Sequence, residues 1–183
     1  MRAFGRPQGI LGRVGGMIMA RSNRGIATRV IELLDIHPDD EVLEVGYGPG
    51  VAIQLIAAKL SSGKVAGIDC SAVMMQQATA RNADAVESGR IELHLGLVEA
   101  MPFEDNTFDK ALAINSMQAW SGAIRGLREI WRVLKPRGRV ALGFTPYSGQ
   151  AKEGLTAALE AAGFSGVRML DLNGDFSVLA VKP

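Results

Sequence analysis

The feature that most constrains this chain is the segment LEVGYGPG, residues 43–50. It continues a short apolar run, EVLEV, that is typical of a buried strand, and glycine then occupies every second position, at Gly46, Gly48 and Gly50. Because glycine has no Cβ, such a turn can bend sharply and let a ligand approach the backbone closely. In open parallel sheets, a turn of this kind at the carboxyl end of a strand is the usual place for a nucleotide-like ligand.

Strand patterns and helix patterns alternate along the rest of the chain. Strands are predicted at EVLEV, KVAGID, IELHL, KALAIN and RVALGF, and helices at residues 26–34, 53–60, 72–82, 121–134 and 151–162. This alternation favours right-handed crossovers, a parallel sheet and helices on both faces. The last two apolar runs, VRMLDL and FSVLAV, flank Asn173-Gly174, which is typical of a tight hairpin. The sequence therefore predicts an α/β, Rossmann-like three-layer sandwich, with a seven-stranded, mainly parallel sheet and an antiparallel seventh strand.

Two acidic residues beside the glycine turn indicate the ligand. Glu44 lies at the mouth of the first strand, where a carboxylate is a poor neighbour for a pyrophosphate but a good one for an ammonium or sulfonium group. Asp69 ends the second strand 23 residues after Gly46, where it can accept hydrogen bonds from ribose hydroxyls. With the G-x-G-x-G spacing, these residues favour S-adenosylmethionine over NAD, whose enzymes carry G-x-G-x-x-G.

Four segments resemble, in order, the motifs of class I S-adenosylmethionine-dependent methyltransferases. They are LEVGYGPG, GIDCSAVMMQQA, EAMPFEDNTFD and LREIWRVLKPRGRVAL. The resemblance covers about residues 32–183 and is closest to the small-molecule branch that includes the quinone-biosynthesis methyltransferases. An antiparallel seventh strand is a hallmark of that family.

The resemblance implies roles for the residues around the glycine turn. Glu44, Gly46 and Gly48 would face the methionine part of the cofactor, and Asp69 would hold both ribose hydroxyls. Tyr47 lies inside the turn and would contact either the cofactor or the substrate.

On the adenine side the sequence departs from the family. Cys70 and Met74 would line the base, but the family commonly reads G-D-A after the third strand, with the aspartate on the adenine amino group, and this chain has GLV at residues 96–98. Leu97 cannot accept that hydrogen bond, so adenine would depend on apolar packing and on the backbone around Val98. We expect cofactor binding to be weaker by about 1 kcal/mol.

The chemistry that the resemblance implies is transfer of a methyl group to a small-molecule acceptor by in-line displacement. Proximity and orientation can supply most of the acceleration, and the sequence indicates no catalytic residue and no metal site. Asn115 ends the fourth strand, where family members touch the cofactor and present the substrate. Residues 115–118, NSMQ, lack the prolines and the aromatic residue with which DNA methyltransferases grip a base, so nucleic acid is not the expected partner.

Charged residues are distributed unevenly along the chain. The net charge is +1, but residues 1–31 contain six arginines and no acidic residue. We therefore predict a basic N-terminal arm or cap helix over residues 1–31 and a cofactor-binding core over residues 32–183. The arm is interpreted as a solvated lead-in; peripheral contact with anionic lipid head groups or an acidic substrate is the alternative, and a transit peptide has a similar composition. No apolar run suggests stable membrane insertion. The single cysteine, Cys70, excludes an internal disulfide and favours a cytoplasmic location.

Two other functions would explain some of these sequence features. A catalytically silent S-adenosylmethionine-binding module or subunit would explain Leu97, the absence of a base and the short segment Thr145–Gln150, where many relatives insert a lid. Such a site would be open, completed by a partner subunit as in a homo-oligomer, or covered by the arm through Arg13 to Arg24. An NAD-dependent oxidoreductase would need a catalytic Tyr-Lys or His-acid set, which the sequence does not indicate.

Overall fold

A computed structural model describes residues 24–172 and 174–183 of the chain. Seven strands form one sheet: β1 Glu41–Val45, β2 Lys64–Asp69, β3 Ile91–Leu95, β4 Phe108–Ile114, β5 Leu134–Phe144, β6 Ser165–Leu172 and β7 Asp175–Val181. The helices within the described residues are α1 (residues 24–34), α2 Val51–Ala57, α3 Ala72–Arg81, α4 Ala83–Glu87, α5 Ala123–Val133 and α6 Leu155–Ala161. Single 3-10 turns follow at Val98–Ala100, Met117–Ala119 and Pro146–Ser148.

The strand order is β3-β2-β1-β4-β5-β7-β6. Neighbouring strands from β3 to β5 are parallel, whereas β7 runs antiparallel to both β5 and β6. The predicted mainly parallel sheet with a reversed last strand is thus confirmed. The chain moves outward from β1 through β2 to β3 and then returns to β4 on the other side of β1. Connections that leave β1 and β4 in opposite directions open a crevice outside the carboxyl ends of these two strands.

Apolar residues bury both faces of the sheet. On one face α1, α2 and α3 pack against alternate residues of the central strands, in a cluster that includes Ile26, Val30, Ile53, Met74, Val42 and Leu112. On the other face α5 and α6 do the same, in a cluster that includes Leu127, Ile130, Leu159, Leu43 and Leu142. On each face of the sheet, the apolar stripes of the helices therefore pack against alternate apolar residues of the strands and form a core.

The structure differs from the sequence prediction at β5. The segment Lys135–Gly138, which lies between the predicted helix over residues 121–134 and the predicted strand RVALGF, belongs to a strand that begins at Leu134. Backbone bonds to Lys182 extend the strand: Arg137 donates to its carbonyl, and Lys182 donates to the carbonyl of Gly138. Pairing with the last strand, which is far away in sequence, therefore overrides the local turn signal of proline and glycine.

Most of the predicted N-terminal arm lies outside the described residues, since the structure describes only 24–31 of it. Helix α1 crosses the predicted boundary between residues 31 and 32, and Ile26, Val30 and Leu34 are buried against the sheet. Among the residues that the structure describes, no helix is long and apolar enough to cross a membrane.

Candidate functional site

A pocket lies outside the carboxyl ends of β1, β2 and β4, at the crevice that the strand order creates. The ten residues that the sequence predicts for the cofactor all line it: Glu44, Gly46, Tyr47, Gly48, Asp69, Cys70, Met74, Leu97, Val98 and Asn115. The fold thus brings together residues that are up to 71 positions apart, as the hydrogen bond from Ser116 Oγ to the carbonyl of Val45 (2.8 Å) illustrates.

The glycine turn has the backbone conformation that its sequence predicts. Gly46, Gly48 and Gly50 have φ values of +76°, +51° and +78°, in the left-handed region. A Cβ on Gly46 would approach Cβ of Ser116 to 2.4 Å, and one on Gly50 would approach Cβ of Ala78 to 2.8 Å. Around Gly48 a Cβ would meet nothing within 4 Å. Two of the glycines therefore allow close packing, and the middle one borders open space where a ligand can lie.

Glu44 is a buried carboxylate with an unused acceptor. It is 3% exposed, and it accepts a hydrogen bond from the backbone N–H of Ile53 at the start of α2. Its Oε2 atom is buried and has no hydrogen-bond partner among the residues that the structure describes. Burial, together with the nearby Asp69 carboxylate, raises the pKa of Glu44 well above its ordinary value. A cationic group in the pocket would satisfy this oxygen and favour its ionised form.

Asp69 is fixed in place by backbone donors. Gly48 N donates to its Oδ2 and Ser71 N to its Oδ1, both at 2.9 Å. Burial raises the pKa of Asp69, and the backbone N–H bonds from Gly48, Ser71 and Cys70 oppose that rise. The bond to Gly48 couples the carboxylate at the end of β2 to the glycine turn after β1, so the two parts of the pocket are held in one arrangement.

The side chain of Tyr47 points into the protein core. It is 2% exposed, and its hydroxyl donates to the carbonyl of His94 on β3 at 3.1 Å. A Cβ on Gly67 would approach Cδ1 of Tyr47 to 2.6 Å, so the ring lies directly against β2. The phenol of Tyr47 thus has a structural role. A contact between Tyr47 and a ligand stays a prediction, and only for the backbone of this residue.

The wall beyond Asp69 is apolar. Met74 and Val98 are buried, whereas Leu97 is 51% exposed. Cys70 is exposed at the same end. Aliphatic and thioether side chains of this kind suit a flat, weakly polar group such as a purine.

Asn115 connects the ends of β4 and β5. Its φ is +48°, and its Oδ1 accepts from the backbone N–H of Thr145 at 2.8 Å and from Thr145 Oγ1 at 3.3 Å. Asparagine is among the few residues that adopt this conformation readily. Asn115 therefore lines the pocket while its side-chain oxygen positions the start of the segment after β5.

The pocket lining also includes residues that were not predicted from the sequence, among them Ala27, Glu99 and Ser116. Glu99 Oε1 accepts from Ser121 Oγ at 2.8 Å and from Gly122 N at 3.0 Å, at the start of α5. Burial of Glu99 favours its neutral form, but the bonds from Ser121 and Gly122 outweigh burial and lower its pKa. Glu99 lies inside the segment EAMPFEDNTFD, but its partners are more than 20 residues away, so local spacing gives no signal for its role.

Neither histidine lines the pocket. His94 Nε2 lies 2.7 Å from Glu92 Oε1, and His37 lies near Asp35 in the turn after α1. Across the described part of the chain, no group of three or more His, Cys, Asp or Glu side chains could hold a metal ion.

Comparison with known proteins decides the family. A methyltransferase-domain model matches residues 42–138, which include the glycine turn, Asp69, Leu97 and Asn115. The chain belongs to the methyltransferase-domain family. The resemblance seen in the four sequence motifs is thereby confirmed.

Individual relatives of this methyltransferase domain agree with that assignment. The chain is 30% identical to the uncharacterized methyltransferase YdaC of Bacillus subtilis over 162 residues, 84% of this chain and 87% of that protein. It is 33% identical to the ubiquinone/menaquinone biosynthesis C-methyltransferase UbiE of Geotalea daltonii over 133 residues, 72% of this chain and 55% of that protein. The crystal structure of a SAM-dependent methyltransferase from Aquifex aeolicus has the same fold, with a TM-score of 0.82 at 21% identity over 93% of this chain and 98% of that one.

The cofactor of the methyltransferase domain is S-adenosylmethionine. The pocket fits it in three respects. The unpartnered oxygen of Glu44 suits an ammonium group, the space beside Gly48 admits a ligand, and the fixed carboxylate of Asp69 suits ribose hydroxyls.

Proposed function

We propose that this chain is an active cytoplasmic methyltransferase that transfers a methyl group to a small-molecule acceptor by in-line displacement. The observation that carries the proposal is the buried Oε2 of Glu44, which has no partner within the described part of the chain and lies at the edge of a pocket whose glycine turn borders open space. Burying a carboxylate oxygen without a partner costs free energy, and such an arrangement is stable only if another contribution offsets it. A bound cation does so. The cytoplasmic location is supported only by the single cysteine.

When bound, S-adenosylmethionine supplies a methyl group on a sulfonium, from which an acceptor lone pair displaces a neutral thioether. The residues of the chain would bind and orient the reactants. Glu44 would accept from the ammonium group, and Asp69, held by Gly48 N and Ser71 N, would accept from the ribose hydroxyls. Fixing both ends of the cofactor fixes the position from which the methyl group is offered.

The acceptor side of the pocket is uncharged. It is lined by Ile114, Asn115, Ser116, Ala119 and Trp120. This composition suits a small acceptor whose reacting part has an apolar or aromatic body. The similarity to the UbiE methyltransferase, of which the chain spans about half, supports a quinone-like acceptor.

We infer that the reaction proceeds without a general base. In the described lining of the pocket, the ionisable side chains are Glu44, Tyr47, Asp69, Cys70 and Glu99. Glu44 and Asp69 would bind the cofactor, and the hydroxyl of Tyr47 is bonded in the core. Glu99 accepts hydrogen bonds at the start of α5, and Cys70 lies at the end of the pocket proposed for the purine. Residues 1–23 contain arginine as their only type of ionisable side chain, and arginine does not act as a base at ordinary pH. The acceptor proton would then pass to solvent, and positioning would supply the acceleration, which can reach roughly 7 to 11 kcal/mol.

The proposed activity is tested with S-adenosylmethionine that carries a labelled methyl group. The first acceptor is a short-chain demethylmenaquinone, kept reduced, followed by a panel of phenols, thiols and amines. We expect label in an extracted acceptor with the wild-type chain and with Glu92→Ala, which removes an exposed carboxylate outside the pocket. Asp69→Ala should abolish the transfer. Binding of S-adenosylmethionine without transfer to any acceptor would contradict the activity and favour a silent cofactor-binding module.

We further propose that the residues before α1 act as an arm that covers the acceptor side. The proposal is supported by Ala27 of α1, which lines the pocket. Arginines before this point would attract an anionic part of an acceptor. Replacing both Arg21 and Arg24 by glutamine should raise KM for an acceptor found in the panel; an unchanged KM would refute the arm's role.

A further inference from the structure

The end of helix α3 contacts the glycine turn from outside the pocket. Arg81 Nε donates to the carbonyl of Pro49 at 2.9 Å, and Asn82 Nδ2 donates to the carbonyl of Gly50 at 3.2 Å. Neither of these two side chains lines the cofactor pocket. Both line a separate surface groove, the α3 groove, whose other residues include Gln54, Asp84 and Arg90. Any effect of Arg81 on a ligand in the pocket therefore passes through the turn.

The carbonyl of Pro49 depends on its side-chain donor more than the carbonyl of Gly50 does. Gly50 directly precedes α2, and its carbonyl also accepts the first backbone bond of that helix, from Gln54 N at 3.2 Å. The carbonyl of Pro49 lies one residue outside this helical bonding. The bond from Arg81 therefore fixes the direction of a carbonyl that α2 does not fix.

The direction of the Pro49 carbonyl sets the shape of the turn around Gly48. The peptide between Pro49 and Gly50 is planar and trans, so its N–H points opposite to its carbonyl and donates to the carbonyl of Tyr47 at 3.0 Å. This bond closes a four-residue turn whose second residue, Gly48, borders the open space beside the pocket and donates to Asp69 Oδ2. With glycine at three of five positions, an unfixed turn would have many conformations to lose when a ligand binds.

We propose that Arg81 is a positioning residue for the cofactor: through its bond to the Pro49 carbonyl, it holds the glycine turn in the binding conformation before the cofactor arrives. The inference rests on the proposed function, because it assumes that the cofactor lies beside Gly48. A turn that is ordered in advance does not have to be ordered by the ligand. Arg81 thus strengthens binding without contacting the ligand.

The test is titration calorimetry with S-adenosylhomocysteine on two replacements of Arg81. Glutamine places an N–H donor as far along the side chain as Nε of arginine, whereas methionine has a similar length and no donor. We expect Arg81→Met to weaken binding about tenfold, the equivalent of one hydrogen bond, and Arg81→Gln to bind within about threefold of the wild-type chain. The matched control is Arg90→Met, at an arginine of the same α3 groove whose Nε lies 3.4 Å from Ser88 Oγ; it should bind like the wild-type chain.

The stability of the ligand-free protein separates positioning from a general loss of packing. Arg81 is an exposed residue, so we expect the ligand-free Tm of Arg81→Met to lie within about 2 °C of the wild-type value. A purely structural role would instead lower the ligand-free Tm and leave the dissociation constant of the folded protein unchanged. That pattern would overturn the inference.

The remaining outcomes separate the inference from the proposed function. Wild-type protein that does not bind S-adenosylhomocysteine would refute the cofactor site, and the inference with it. Wild-type binding that is matched by Arg81→Met would refute the inference and leave the proposed function intact. If Arg81→Gln binds as weakly as Arg81→Met, or if Arg90→Met loses as much affinity, the positive charge of the groove matters rather than the bond to Pro49, and the inference is also overturned.

Discussion

The buried carboxylate of Glu44 makes the pocket favour a cationic ligand. Burial and the neighbouring Asp69 raise the pKa of Glu44, so in the ligand-free protein the neutral acid persists to higher pH than in an exposed glutamate. A cationic ligand stabilises the ionised form and lowers this pKa again. Ligand binding and proton release are therefore coupled at this residue.

This coupling predicts the pH dependence of binding. Below the raised pKa of Glu44, this residue must release a proton when S-adenosylhomocysteine binds, so the affinity should fall as the pH falls, by up to about tenfold per pH unit. Calorimetry in two buffers of different ionisation enthalpy measures the released proton. In Glu44→Gln the component due to this proton should vanish, and binding should be weaker by roughly 10- to 100-fold. Equal pH dependence in both proteins would show that Glu44 does not meet the ammonium group.

The same residue predicts a pH dependence of the ligand-free stability. The pKa of Glu44 is raised on folding, so its contribution is fully favourable below the unfolded value of 4.5 and is lost as the pH rises through the folded value. The free energy of unfolding of the wild-type chain, relative to Glu44→Gln, should thus decline as the pH increases above 4.5. Urea unfolding of both proteins across this range measures the difference. A constant difference would contradict the assigned pKa shift.

Residues differ in how far the sequence alone predicts them. Glu44, Asp69 and Gly48 are predictable because each stands at the end of a strand, where the fold class dictates exposure to the crevice. Glu99 and the inward orientation of Tyr47 are not, since they depend on Ser121 and on the carbonyl of His94, which only the folded chain brings near.

At the scale of elements, helix α1 covers the sheet at a position that only glycine permits. A Cβ on Gly143 of β5 would approach Cγ2 of Val30 to 2.6 Å and Cγ1 of Ile26 to 3.1 Å. Both are β-branched residues with restricted χ1 angles in a helix, so they cannot turn aside without moving α1. Because Ala27 of α1 lines the pocket, this packing also sets one wall of the site.

Gly143→Ala should therefore destabilise the protein by about 1 to 3 kcal/mol. It should also weaken the binding of S-adenosylhomocysteine, because α1 is displaced from the pocket. The matched control is Gly25→Ala, at an exposed position of the same helix where a Cβ would meet only a guanidinium nitrogen of Arg29 at 3.8 Å. That change should be neutral or stabilising by about 0.5 to 1 kcal/mol. Chemical unfolding and calorimetry check both variants; equal effects would refute the close packing.

Element prediction succeeds where local pattern and tertiary contact agree. The central strands EVLEV, KVAGID and IELHL match β1, β2 and β3 because short apolar runs bounded by turns leave few alternatives. The early start of β5 and the short helix α4 escape prediction. The former depends on pairing with Lys182, and α4 has no buried residue that would mark it.

Across the whole molecule, Lys182 joins the end of the chain to the middle of the sheet. Its side chain is buried, and Nζ donates to Leu134 O at 2.7 Å and to Asn106 Oδ1 at 2.9 Å. The ammonium group lies 4.0 Å from the centroid of the Trp131 ring. Burial lowers the pKa of Lys182. One side chain thus connects β7, β5, α5 and the loop before β4.

Lys182→Met keeps the length of the side chain but removes the donor, which leaves buried acceptors without a partner. We expect a loss of about 1 to 3 kcal/mol of unfolding free energy. At about 2 to 4 °C per kcal/mol for a chain of this size, the Tm should fall by roughly 2 to 12 °C. Lys152→Met removes an exposed lysine that pairs with Asp171, and should change stability by less than about 1 kcal/mol. If both variants melt alike, Lys182 does not hold the sheet together.

Thermal unfolding of the purified chain with S-adenosylmethionine, S-adenosylhomocysteine or NAD tests whether the crevice beside the glycine turn binds S-adenosylmethionine. A ligand at 100 times its dissociation constant adds about 2.7 kcal/mol, which corresponds to roughly 5 to 10 °C for a domain of this size. We predict a shift of this size with both adenosyl ligands, its loss in Asp69→Ala, and no shift with NAD. A shift with NAD alone, or with none of the three, would contradict this prediction.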